Sequence, residues 1–190
     1  MNNESNHFSD KVIVTNILNG NIQGFALVVK NTEKLVTQIV RKMLDNEDDQ
    51  KDLVQDIYLK AYQNLDSFQF KSKLSTWIAN IAYNTTVNYL QKKRIPIIEI
   101  ETMIENNFTI TDNPELETIK TEAVEILNAE IAKLPPLYKT LITLYHLEEL
   151  PNKEIAEITN LPEGTIKSYL YRARKMLKDN INYHYKYEEL

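Results

Sequence analysis

Asn152-Lys153-Glu154-Ile155-Ala156-Glu157-Ile158-Thr159-Asn160-Leu161-Pro162-Glu163-Gly164-Thr165-Ile166-Lys167-Ser168-Tyr169-Leu170-Tyr171-Arg172-Ala173-Arg174-Lys175 reads as a short helix, a tight turn and a longer second helix. Asn152 suits an N-cap, because its side chain accepts a backbone N–H that the first turn leaves unpaired. Ile155, Ala156 and Ile158 supply the inner side of the first helix. Asn160 tolerates the left-handed conformation that ends a helix, and Pro162 suits the first position of the next one. Ile166, Leu170, Ala173 and Leu177 then recur at helical spacing as one apolar stripe. The other faces carry Lys167, Ser168, Tyr169, Arg172, Arg174, Lys175 and Lys178, with no acid from Gly164 to Lys178. The pattern predicts a helix-turn-helix whose basic second helix fits a DNA major groove. Such pairs also occur as ordinary packing in all-α proteins, so the rest of the chain has to decide.

Composition removes several function classes. The 190 residues include no cysteine, three glycines and three histidines. Disulfides and thiolate metal sites are therefore excluded, and a glycine-rich phosphate loop is not expected. His7, His146 and His184 lack ligand spacing, so neither a metal site nor a cofactor is expected. No catalytic constellation is present, which predicts a non-enzymatic protein. The start of the chain has no export signal and no apolar run spans a bilayer, so a cytoplasmic location without membrane insertion is expected.

The net charge of −5 suits a DNA binder poorly until it is resolved by position. Lys71, Lys73, Lys92, Lys93 and Arg94 lie in a stretch with no acid. Asp45, Glu47, Asp48, Asp49, Asp52 and Asp56 lie close together against Lys51, and Glu99–Glu130 is acidic apart from Lys120. Segregated charge acts on partners through its local field rather than its total.

Read in order, the periodicity predicts an all-α chain of two small domains. Residues 1–23 form an N-terminal extension, frayed to Asp10, with a short helix at Val12–Ile17. Residues 24–94 form the first domain, with helices at Gly24–Leu44, Lys51–Leu65 and Leu74–Arg94, and an acidic turn at Asn46–Gln50. Between the last two lies Asp66-Ser67-Phe68-Gln69-Phe70-Lys71-Ser72-Lys73, whose aromatics and lysines suit stacking on unpaired bases beside phosphates. The third helix carries Asn80, Asn84, Asn88 and Gln91, and amides suit hydrogen bonding to base edges. Trp77 falls at core spacing with Ile81. Residues 95–118 read as an acidic linker. Residues 119–180 form the second domain, with helices at Ile119–Ala132, Leu137–His146, Asn152–Asn160 and Pro162–Asn180. Ala123, Ile126, Leu127 and Ile131 form the first stripe of this domain, and Leu137, Leu141, Leu144 and Tyr145 the second. The tail at 181–190 has no pattern.

The order of these features resembles the bacterial RNA polymerase sigma factors, in particular the short extracytoplasmic-function (ECF) group that keeps only regions two and four. Two stretches carry the resemblance. One is Asp52-Leu53-Val54-Gln55-Asp56-Ile57-Tyr58-Leu59-Lys60-Ala61-Tyr62 with Leu74-Ser75-Thr76-Trp77-Ile78-Ala79-Asn80-Ile81-Ala82-Tyr83-Asn84. The other is Leu134-Pro135-Pro136-Leu137-Tyr138, then Glu154-Ile155-Ala156, then Pro162-Glu163-Gly164-Thr165-Ile166-Lys167-Ser168. The resemblance implies that Asp52, Leu53, Val54, Gln55 and Asp56 dock on the clamp helices of core RNA polymerase. It implies that Phe68, Lys71, Ser72 and Lys73 capture a flipped base of the −10 promoter strand, and that Asn80, Asn84, Lys92, Lys93 and Arg94 meet the same strand. It assigns Thr165, Lys167, Ser168, Tyr169, Arg172, Arg174 and Lys175 to the −35 duplex. Tyr169 departs from the family, where arginine is common after Lys-Ser. The Leu137–Tyr145 helix is mostly core, with part of it offered to the polymerase flap. The linker acids Glu99, Glu101, Glu105 and Glu115 are expected to mimic nucleic-acid charge in the RNA exit path. The resemblance also leaves room for an anti-sigma factor as a further partner. Two other classes fit parts of the pattern: a stand-alone helix-turn-helix regulator, and a sigma-like helical antagonist that does not bind DNA.

Overall fold

The computed structural model describes the backbone of residues 2–93 and 119–187, and the side chains of residues 9–93 and 126–182. Eight α-helices are present among these residues and no strand is: α1 Asn2–Leu18, α2 Gln23–Met43, α3 Glu47–Gln63, α4 Leu74–Lys92, α5 Ile119–Lys133, α6 Pro136–Ile142, α7 Asn152–Thr159 and α8 Glu163–Tyr187. The linker and Arg94 lie outside the described residues.

The helix expected at Val12–Ile17 begins at Asn2, and it is tied down where fraying was expected. Val14 and Ile17 are buried, and the Asp10 carboxylate accepts the Leu74 backbone N–H at 2.8 Å. That bond satisfies one of the donors left free at the start of α4. Helix α1 ends in a Schellman arrangement, with the Gly20 N–H on the Ile17 carbonyl and the Asn21 N–H on the Asn16 carbonyl. Gly20 sits at φ +101 with open space around the position of a Cβ. Gly20→Ala is therefore expected to cost about 1–2 kcal/mol through backbone strain alone, read as a shifted denaturation midpoint with an unchanged slope.

Helix α3 starts at Glu47 rather than Lys51. Asn46 caps it through Asp49 N–H, and Glu47, Asp48 and Asp49 in the first turn favour the positive end of the helix dipole. The expected acidic turn is thus helix. Leu53, Ile57, Ala61 and Leu65 face inward and pack with Val36, Ile39, Val40, Ile78, Ala82 and Leu90. Tyr58 OH meets Thr32 Oγ1 at 3.0 Å, which joins α3 to α2 within this layer.

In the second half, Ile166, Leu170, Ala173 and Leu177 are all buried, together with Ile155 and Ile158. Five local readings need correction. Leu127 is exposed, whereas Glu130 on the same helix is buried. Pro136 begins α6, and the expected helix to His146 finishes as a π-turn over Thr143–Leu147. Asn152 makes no cap: it is the first residue of α7, Pro151 precedes it, and its Oδ1 is buried without a hydrogen bond. Pro162 stands just before α8, its carbonyl accepting the Ile166 N–H. Helix α8 runs on to Tyr187, through the stretch read as a patternless tail. Asn160 takes the left-handed conformation as expected, with φ 57.

The two halves do not stand apart on a tether. Helix α2 packs on α6, and α4 packs on α7. At one end of this seam the Glu148 carboxylate accepts from Lys34 Nζ at 3.0 Å and from Gln38 Nε2 at 3.2 Å.

Candidate nucleic-acid interface

The residues singled out from sequence fall on three surfaces. On α3, Asp52, Gln55 and Asp56 are exposed at helical spacing. Leu53 is 5% exposed and belongs to the core, and Val54 is half-buried, so these two do not share the polar face assigned to docking. Leu59 and Tyr62 continue the exposed stripe with apolar surface, and the Tyr62 ring meets Phe25 edge-on at 5.1 Å. Sequence reading passed over both. Their positions, about one and two helical turns beyond Gln55, were the available signal.

The second surface is the loop between α3 and α4. After a single 3₁₀ turn at Leu65–Ser67 the chain is irregular to Lys73. Phe68 was expected to stack on a base. It is instead 5% exposed, with its ring against Phe70 at 4.7 Å and Trp77 at 5.3 Å. A ring used as the floor of the loop is not free to receive a nucleotide. Trp77 is half-buried in this aromatic group, consistent with the packing role its spacing predicted. Phe70 has φ 55, an outlier for a bulky residue. Strain of this kind persists only where the surroundings impose it, and it concentrates in functional loops. Lys71 is exposed, and Ser72 and Lys73 are half-exposed. At the far end of α4, Lys92 and Lys93 are exposed. Lys93 bonds Asp49 at 2.7 Å and lies 4.7 Å over the Tyr89 ring. The hydrogen bond from Lys93 holds the Asp49 carboxyl below its ordinary pKa, and the same bond raises that of Lys93.

Between these ends, Lys73, Thr76, Asn80 and Asn84 line one face of α4, and this face is turned toward α7. Asn80 Nδ2 donates to the carbonyls of Glu157 and Ile158 at 3.0 and 2.9 Å. Asn84 Nδ2 donates to Asn80 Oδ1 at 3.0 Å. Tyr83, beside them, has its pKa pushed up to about 12, first by burial and then by Tyr169.

The third surface is α8. Lys167, Ser168, Arg172, Arg174 and Lys175 are exposed and Thr165 is half-exposed. Tyr169 is half-buried instead, its ring 5.6 Å from Tyr138 with the Arg172 guanidinium 6.0 Å above it. Arg174 turns toward the π-turn, bonding His146 at 3.3 Å and covering Tyr145. Among the described side chains of α8, Tyr171, 68% exposed, is the aromatic presented to solvent, and sequence reading did not propose it.

Comparison with known proteins places the chain in a family. The "Sigma-70 region 2" family matches residues 28–95, and "Sigma-70, region 4" matches residues 125–177. The chain is 34% identical over 181 residues to the ECF RNA polymerase sigma-E factor of Haemophilus influenzae, spanning 91% of this chain and 95% of that one. It belongs to the ECF sigma factors. The sigma-E factor of Escherichia coli is 32% identical, with 93% of this chain and 96% of that one covered. Sigma factor SigW of Bacillus subtilis is 30% identical, covering 88% and 94%. Among solved structures, CnrH in complex with the cytosolic domain of CnrY superposes with a TM-score of 0.64 at 18% identity, over 91% of this chain and 97% of that one. The sigma factor RpoE of Bartonella quintana, in complex with the anti-sigma factor NepR, gives 0.59 at 22%, over 83% and 96%. These two show the shared fold. As an ECF sigma factor the protein directs promoter-specific transcription. No described helix of this sigma factor is long and apolar enough to cross a membrane.

Proposed function

We propose that this sigma factor docks on core RNA polymerase through Asp52, Gln55 and Asp56, and that Leu59 and Tyr62 extend the contact. Lys71, Ser72, Lys73, Asn80 and Asn84 meet the −10 strand, with Lys92, Lys93 and Arg94 beside it. Thr165, Lys167, Ser168, Arg172, Arg174 and Lys175 meet the −35 duplex. Phe68 and Tyr169 act from beneath, each shaping a surface whose outer groups make the contact. The domain division at 24–94 and 119–180 follows the same reading. The observation that carries it is the segregation of exposed charge: an acidic stripe on α3, and a basic one on α8 on the other side of the interdomain seam. Acids dock on basic helices with attraction and register, while lysine and arginine position a helix on phosphates.

The reaction chemistry belongs to the polymerase, the reading calls for no metal or cofactor, and the protein works in the cytoplasm. An anti-sigma factor is a fitting antagonist, since the similar sigma factor RpoE of Bartonella quintana is bound to the anti-sigma factor NepR. Purified chain added to core polymerase should give transcripts starting at discrete promoters that core alone ignores. Specific duplex binding without any such transcripts would favour a stand-alone helix-turn-helix regulator.

A further inference from the structure

The face of α4 assigned to the −10 strand is occupied by the helix-turn-helix of the same chain. Glu154, in the first turn of α7, is 9% exposed. Its carboxylate accepts from Lys73 Nζ at 2.8 Å and from Thr76 Oγ1 at 2.7 Å. One ammonium and one hydroxyl converging on an oxyanion are the donors that a backbone phosphate would meet. Farther along, the Asn80 amide is spent on two carbonyls at the end of α7, of the kind a helix terminus leaves unsatisfied. Asn160, in the turn, donates to Asn84 Oδ1 at 3.3 Å. Lys73, Thr76, Asn80 and Asn84 thus each have a partner on α7 or in the turn after it. Asp52, Gln55 and Asp56 stay exposed, as do Lys167, Ser168 and Arg172.

We propose that the sigma factor alone is held closed, with α7 lying in the −10 strand path and Glu154 as its latch in the place of a phosphate. This rests on the assignment of α4 to the −10 strand. The closed chain meets polymerase and −35 duplex with free surfaces, and it reads the −10 strand only after α7 leaves α4. Premature binding to single-stranded DNA is thereby suppressed. Glu148, held by Lys34 and Gln38, anchors the other end of the seam.

The native chain has no cysteine, so introduced cysteines report cleanly. Dyes on Leu59→Cys and Tyr171→Cys, both at exposed positions, give an interdomain distance in the full chain. Adding Glu154→Ala is expected to lengthen it. The same substitution should tighten binding to a pool of random-sequence single-stranded oligonucleotides roughly tenfold, the scale of one charge-assisted hydrogen bond. Glu154→Gln, which keeps an acceptor for Thr76, should fall between. Gln38→Cys with Glu148→Cys, at positions whose native side chains meet tip to tip at 3.2 Å, locks the seam once both thiols are oxidised to disulfides with a short dithiol linker that spans the gap. The oxidised chain should lose single-strand binding and regain it on reduction. Equal binding by oxidised and reduced forms overturns the proposal, as does an unchanged distance in a folded Glu154→Ala chain. A longer distance without tighter strand binding overturns it at its foundation, the assignment of α4 to the strand.

Discussion

Replacing Asp52 and Asp56 together by lysine is expected to weaken binding to core RNA polymerase by more than about a hundredfold, because losing charge complementarity in a docked interface costs roughly 2–5 kcal/mol. Both side chains are exposed on α3, so the fold should be nearly indifferent, within about 0.5 kcal/mol. Leu53 supplies the contrast. It lies between the same two acids in sequence but is buried, and Leu53→Ala is a core deletion that costs about 2–5 kcal/mol of stability. The two variants therefore separate docking from folding in one stretch. Titration of labelled chain against core polymerase, with denaturation curves alongside, checks both. Retained affinity in a folded double-lysine variant would remove α3 from the docking surface.

That contrast also shows where sequence reading stops. The acids, the buried stripe of α8 and the left-handed Asn160 were legible because each depends on local spacing or on the conformational tolerance of one residue. Phe68 was misplaced because an aromatic in a basic loop has the same sequence signature whether its ring faces a base or a neighbouring Trp77; only the packing of the loop onto α4 decides. Asn152 lost its cap for a related reason. The chain enters α7 through Pro151 in extended backbone, so the helix takes in Asn152 as its first residue. The role of residues 1–23 gave no signal, since Asp10 acts through a contact with Leu74 across 64 positions. Glu154 was invisible in the same way. Its partners are 78 and 81 residues away, and locally it is just an acid in a first turn. Asp10 and Glu154 were thus missed because their partners are distant in sequence, and the seam between the halves consists of such contacts.

Substituting Lys167 and Arg172 together by alanine is expected to reduce the salt dependence of duplex binding by about 2 in the slope of log affinity against log salt, since each phosphate contact contributes about 0.9. Affinity at low salt should fall on the order of tenfold to a hundredfold across all duplexes, with little change in which sequence is preferred. The probe is the duplex that the unaltered chain selects from a random library. Tyr169→Phe should leave both slope and affinity near their starting values, because its half-buried ring is packed on Tyr138 below the outer surface of α8. Tyr171→Ala should instead weaken binding, since that ring is the exposed one. If Tyr169→Phe abolishes duplex binding while the double alanine variant does not, the outer face of α8 has been read the wrong way round. The closed arrangement adds a condition that an independently tethered helix-turn-helix does not impose. Lys167 and Arg172 are exposed while α7 is still engaged by α4, so duplex affinity should be the same in the oxidised, locked chain and in the reduced one. The −35 contact then precedes release of α7, and only the −10 contact waits for it.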